Sequence, residues 1–137
     1  MAPKAKEGKI KAVAHQQKLL KRIGSSQYSY IDKELLAYLN SAHERSYYPE
    51  GRRRQLVAVM ASGDRQHALM SLKVPTLVIH GSGDQLIPLR HGERLAELVA
   101  GSTMALVEGM GHGLEPQVSK KVLEHMTRFI LGLEAKI

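Results

Sequence analysis

Two stretches of this 137-residue chain end in side chains that could do chemistry together. Val74–Asp84 (VPTLVIHGSGD) is an apolar run that closes in a glycine-rich turn and presents Asp84. Val107–His112 (VEGMGH) is built the same way and presents His112. A carboxylate that accepts the Nδ1–H of an imidazole fixes its tautomer and stabilises the imidazolium. The other ring nitrogen is then left to take up and return a proton. Asp84 and His112 are the candidate acid and base of a catalytic triad. Such a pair needs a nucleophile to activate.

The elements that must position them follow from apolar periodicity. Residues 1–8 read as a frayed, disordered start. From Lys9, the residues Ile10, Val13, Ala14, Gln17 and Leu20 recur at helical spacing, with Leu19 and Ile23 widening the stripe, until Gly24. Asp32 is placed to cap a second helix, with Ile31 stapled onto Leu36 and with Leu35, Leu36, Leu39 and Ala42 on one side. Pro49 suits the first turn of a third helix through Leu56, Val57, Val59 and Met60, ending at Gly63. A short helix from Gln66 to about Leu72 follows. The texture then changes: Thr76–His80 has the continuous β-branched character of a strand buried on both faces. Pro88 opens a helix with Leu95, Leu98 and Val99 inward, and Thr103–Val107 is a second strand. Pro116 opens a last helix bearing Val118, Val122, Met126, Phe129, Ile130 and Leu133 on one face. Strand, helix, strand, helix implies two parallel strands. In such sheets functional groups gather beyond the carboxyl ends of the strands, where Asp84 and His112 both fall. Gly81, Gly83, Gly109 and Gly111 are expected to let the chain turn there.

Composition removes several function classes. A 43% hydrophobic content with mixed charge describes a globular chain, and the absence of cysteine excludes disulfides, thiolate metal sites and a cysteine nucleophile. No apolar run reaches the ~18–20 residues of a membrane helix. The start MAPKAK lacks an apolar signal region, which points to the cytoplasm. The net charge of +7 is concentrated at Lys4, Lys6, Lys9, Lys11, Lys18, Lys21 and Arg22, and again at Arg52, Arg53 and Arg54. Without interleaved aromatics or glycines these clusters read as solvated helix faces, not a nucleic-acid surface. No H-x-x-x-H or H-E-x-x-H spacing occurs, so neither a zinc site nor any other cofactor is expected. His15, His43, His91 and His125 read as surface residues, and His80 as a packed or hydrogen-bonded strand end.

VPTLVIHGSGD with Ile87-Pro88, together with Gly109–His112 (GMGH), resembles the acid and histidine segments of the α/β-hydrolase family. More narrowly, it is similar to the proline-iminopeptidase and aclacinomycin-methylesterase-like branch. Arg54–Arg65 (RQLVAVMASGDR) is similar to the helix leading from that family's lid back to its core, and the likeness runs from about residue 10 to 131. Glu108 stands where many relatives have proline, and Gly113 where an acidic or larger residue is common. The resemblance implies an α/β fold of two parts: a helical lid segment over residues 9–72, then the last βαβα part of a hydrolase core over residues 73–137. It also implies ester or acyl-bond hydrolysis through Asp84 and His112.

That family needs a G-x-S-x-G elbow ahead of the acid and the histidine. None occurs here. Ser62 and Ser82 have the wrong flanks and read as turn residues, and Ser25 and Ser26 lie in an interhelical loop. The chain is therefore expected to correspond to the C-terminal half of a serine hydrolase and to be inactive alone. Two parallel strands leave an unpaired apolar edge, so the expected partner is a second copy or a complementary N-terminal half. An ester substrate is expected only in a complete fold. Met60, Met70, Tyr28 and Tyr30 could line an acyl pocket, but each reads as ordinary packing. The alternative is a non-catalytic module, derived from a hydrolase, that self-associates or binds anions through its basic helices.

Overall fold

Helical spacing of apolar residues shapes the first half of the chain and β-branched runs shape the second. The computed structural model describes residues 3–132. The order is α1 (Pro3–Ile23), α2 (Asp32–Ser46), α3 (Pro49–Ala61), α4 (Gln66–Met70), β1 (Leu77–Gly81), α5 (Arg90–Leu98), β2 (Thr103–Val107) and α6 (Pro116–Ile130). The first helix begins at Pro3, ahead of the expected Lys9. Of the start expected over residues 1–8, Met1 and Ala2 lie outside the described residues. The chain divides into two compact units, one running to Arg22 and resuming over Tyr30–Arg65, the other comprising Ile23–Ser29 and the chain from Gln66 onward.

In the first unit Val13 of α1 packs with Leu35 and Leu39 of α2, and Leu20 and Tyr30 pack against this cluster. Two ion pairs also join the helices, Lys9–Glu44 at 2.6 Å and Lys21–Asp32 at 2.5 Å. Asp32 was expected to cap α2. It is instead the first helical residue, and Ile31 holds the cap position without a side-chain hydrogen bond. The Lys21 ammonium claims the Asp32 carboxylate and holds it below its ordinary range. Ile31, expected to staple onto Leu36, is largely exposed. No residue of α3 is buried, and Leu56, Val57, Val59 and Met60 all face outward.

In the second unit β1 and β2 pair in parallel, with Leu77 opposite Thr103 and Gly81 opposite Val107. The ladder is extended by Thr103 N–H donating to the Thr76 carbonyl at 2.8 Å. Along β2, Thr103, Ala105 and Val107 are buried while Leu106, on the other face, is exposed. β1 departs from its expected burial on both faces: only Val78 and Gly81 are buried. The sheet formed by the described residues has two strands, so each strand gains cover from a single neighbour and the adjoining helices. Both α5 and α6 touch both strands. They contribute Leu98 and Val118 to the core, and Val99, just beyond α5, is buried too. On α6 the apolar stripe is only partly covered: Val122 and Phe129 are half-buried, Met126 and Ile130 exposed. Leu133 lies outside the described residues.

This burial makes a prediction. Val118 is 0% exposed, so Val118→Ala should cost about 2 kcal/mol in urea unfolding. Leu123, on the same helix but exposed, should tolerate the same truncation within about 0.5 kcal/mol.

Candidate functional site

The parallel register sets the ends of β1 and β2 side by side, and the two loops that leave them are stitched together. Ser82 N–H donates to the Val107 carbonyl at 3.1 Å, and Gly83 N–H to the Met110 carbonyl at 2.9 Å. In return, Gly109 N–H donates to the Ser82 hydroxyl at 2.8 Å. The expected glycines serve two different purposes. Gly109 alone among the four takes the left-handed conformation, at φ +71°. Gly81 and Gly111 give room instead. A Cβ on Gly81 would press into the Met110 carbonyl, and one on Gly111 into the Gly24 backbone.

Asp84 and His112, predicted from sequence, are brought together. Asp84 Oδ2 lies 2.8 Å from His112 Nδ1. The other carboxylate oxygen, Oδ1, accepts the backbone N–H groups of Leu86 and Ile87, each at 2.9 Å. The acid side chain is 7% exposed, the imidazole 39%. Burial pushes the Asp84 carboxyl up, but the Ile87 N–H, the His112 ring and the Leu86 N–H together outweigh it. The group therefore ionises below its ordinary 3.8. An anionic carboxylate can only accept, so it selects the tautomer of His112 with the proton on Nδ1. That leaves a lone pair on Nε2. The arrangement can hold an imidazole in one tautomer and stabilise it when it gains a proton.

The loop bearing His112 rests on a segment that sequence reasoning treated as an interhelical connection. His112 N–H donates to the Ile23 carbonyl at 2.7 Å. The Ser25 hydroxyl donates to the Gly109 carbonyl and accepts from the N–H groups of Gln27 and Tyr28, both at 2.9 Å. Tyr28 hydroxyl donates to the Glu108 carbonyl at 3.2 Å and accepts from Lys121 Nζ at 2.8 Å. Beneath them lies Glu115, 1% exposed, whose Oε1 accepts the Ser25 N–H at 2.9 Å. Its Oε2 has no hydrogen-bond partner among the described residues. Glu115 also explains Gly113, since a Cβ there would stand 2.7 Å from Oε1. Most of these bonds end on main-chain groups, which leave no mark in a sequence. A glutamate directly before the proline of a helix start was the one available hint.

The serines have structural partners. Ser62 caps the end of α3, its hydroxyl donating to the Ala58 carbonyl at 2.8 Å. Ser82 joins the two loops and Ser25 fastens the supporting segment. His15 and His91 are exposed as expected, but His43 and His125 are half-buried, and His43 stacks on Tyr47 with ring centroids 4.1 Å apart. Met60 and Met70 are exposed, and Tyr30 packs against the cluster of the first unit. Of the basic residues on α1, Lys9, Lys11 and Lys21 are already paired with carboxylates. Among the described residues no three His, Cys, Asp or Glu side chains gather as a metal site would need, and no helix is long and apolar enough to cross a membrane.

Residues 49–136, a span that includes Asp84 and His112, match the TAP-like protein family. The chain is 28% identical over 75 residues to a bifunctional esterase/perhydrolase of Acinetobacter calcoaceticus, covering 54% of this chain and 27% of that protein. It is 34% identical over 61 residues to a non-heme chloroperoxidase of Streptomyces lividans, covering 44% of this chain and 22% of that one. Its fold is similar to that of a serine hydrolase involved in carbazole degradation. There the TM-score is 0.64 at 19% identity, covering 86% of this chain and 45% of the other. The chain thus spans about a quarter of the length of these curated relatives and under half of that solved structure. With a partial α/β-hydrolase architecture and a family match over more than half its length, the chain belongs to the TAP-like protein family of α/β-hydrolases.

Proposed function

We propose that Asp84 and His112 are the acid and the histidine of a Ser-His-Asp triad for ester or acyl-bond hydrolysis, with the nucleophile supplied from outside these 137 residues. The observation that carries this reading is the 2.8 Å contact between a buried, ionised carboxylate and a half-exposed imidazole at the ends of adjacent parallel strands. Asp84 holds the proton on Nδ1 of His112, so that Nε2 can take the proton of an attacking hydroxyl and deliver it to the leaving group. The esterase named among the relatives supports the substrate class. The likeness of VPTLVIHGSGD and GMGH supports a place near the proline-iminopeptidase and aclacinomycin-methylesterase-like branch. The absence of a G-x-S-x-G elbow from the sequence supports inactivity of the chain by itself.

The partner that fits this reading is a second copy or a complementary half that pairs with the sheet edge. Leu106 on β2 and Ile130 on α6 are exposed. Sedimentation equilibrium should show self-association of the purified protein, and a monomer that unfolds cooperatively would count decisively against it.

A fluorophosphonate probe is expected to leave the protein unlabelled by itself. Co-expression with the G-x-S-x-G half of an α/β-hydrolase should restore labelling of that half's serine. In the restored complex Asp84→Asn should slow turnover on the order of 10⁴-fold. Labelling of the lone chain that is lost in His112→Ala would overturn the inactive state. A complex that labels equally well with and without His112 would overturn the triad itself.

Acid should also expose the carboxylate's role. The folded-state pKa of Asp84 is depressed, so its contribution to stability is complete above about 3.8 and fades as pH falls through the lower folded value. Melting temperatures recorded from pH 6 downward should therefore drop more steeply below 3.8 for the wild type than for Asp84→Asn, and parallel curves would contradict the assignment.

A further inference from the structure

His80, the last residue but one of β1, takes no part in the acid–histidine pair, yet its ring is held on two sides. Its Nε2 lies 2.9 Å from the carbonyl oxygen of Ile87. A carbonyl can only accept, so in the neutral ring the proton sits on Nε2. Ile87 is also the residue whose N–H donates to Asp84 Oδ1 at 2.9 Å. It is thus gripped at both ends, its N–H by Asp84 and its carbonyl by His80. The rest of the ring lies on α5 at Gly92, a buried helical residue. A Cβ at that position would stand 2.6 Å from His80 Nδ1 and 2.8 Å from Cγ. Glycine inside a helix is disfavoured relative to alanine. Here it leaves the space that the imidazole fills.

We propose that His80 is a positioning residue: by holding the Ile87 carbonyl it closes the turn from Gly81 to Ile87 and aims the Asp84 carboxylate at His112. Three bonds run in series, from the His80 Nε2–H to the Ile87 carbonyl, from the Ile87 N–H to Asp84 Oδ1, and from the His112 Nδ1–H to Asp84 Oδ2. This role presupposes the acid–histidine pair proposed above. It adds a residue that touches neither substrate nor the reacting atoms and acts through the main chain of the turn. The Leu86 N–H also reaches Oδ1, at 2.9 Å. If the turn's own N–H groups sufficed to hold the carboxylate, replacing His80 would leave Asp84 undisturbed.

NMR of the intact protein separates these cases. In the wild type, ¹⁵N shifts of the His80 ring should show the proton on Nε2; a neutral ring protonated on Nδ1 would overturn the proposal without any variant. His80→Leu removes the donor, whereas His80→Gln keeps an N–H at nearly the same place. The leucine variant should raise the ¹³C-detected titration midpoint of Asp84 towards 3.8 and weaken the low-field Nδ1–H signal of His112, and the glutamine variant should restore both. A folded leucine variant with a wild-type Asp84 titration would refute the positioning role. If His80→Leu does not fold, the same Asp84 titration is read in His80→Phe, which keeps a ring in the space beside Gly92 but has no donor. The parent reading fails separately: a wild-type His112 that carries its proton on Nε2 would remove the acid–histidine pair while leaving the His80 bond in place.

Discussion

Everything at the candidate site depends on the in-register parallel pairing of two five-residue strands. Because Gly81 stands opposite Val107, both chains leave the sheet at the same level, about 5 Å apart. From there Asp84 is three residues along one loop and His112 five along the other. A slip of one residue would turn every side chain of β2 to the other face. Val107, the last buried rung of β2, also lends its carbonyl to Ser82 N–H. The strand that fills the core thus fixes the loop that bears the acid.

Beyond the strand ends, polar groups replace apolar packing as the organising force. Burying a carboxylate is costly unless hydrogen bonds meet it. Asp84 meets that cost with three partners and remains ionised. Glu115 is buried more completely, with one oxygen satisfied and the other facing no partner among the described residues. The glycines belong to the same arrangement. Gly81 and Gly111 allow backbones to approach each other, and Gly113 makes way for the Glu115 carboxylate. What resembles a flexible, glycine-rich motif is a tightly filled corner.

The second half of the fold was legible because its signals are local. The run Thr103–Val107 carries the bounds of β2, and Pro116 marks the start of α6 as Pro49 marks that of α3 in the first half. Asp84 and His112 were legible because each follows such a strand through a short glycine turn. Local signals failed where a distant partner decided the outcome. Asp32 has the chemistry of a cap, but Lys21 competes for its carboxylate and wins. Thr76–His80 has the composition of a fully buried strand, but composition reports what a residue could bury, and two strands bury less. His80 read as an ordinary strand end. Its link to Asp84 runs through the peptide groups of Ile87, which are the same for almost any residue at that position. Ser25 and Glu115 were missed for a related reason, since they meet only when residues 90 positions apart are adjacent.

That last separation bears on how the site comes into being. The bonds from residues 23–28 to the His112 loop and to α6 close chain loops of roughly 80–90 residues, the longest-range contacts that hold the imidazole in place. Closing such loops carries an entropic cost that must be met before any of the bonds can form, and contacts of this range slow folding. The strands, by contrast, pair across 26 residues, with α5 forming between them. Loop closure thus weighs more on the contacts of Ile23–Ser29 than on the pairing of β1 with β2. The histidine loop owes its final shape to the most distant closures of the second unit, made by a segment near the other end of the chain.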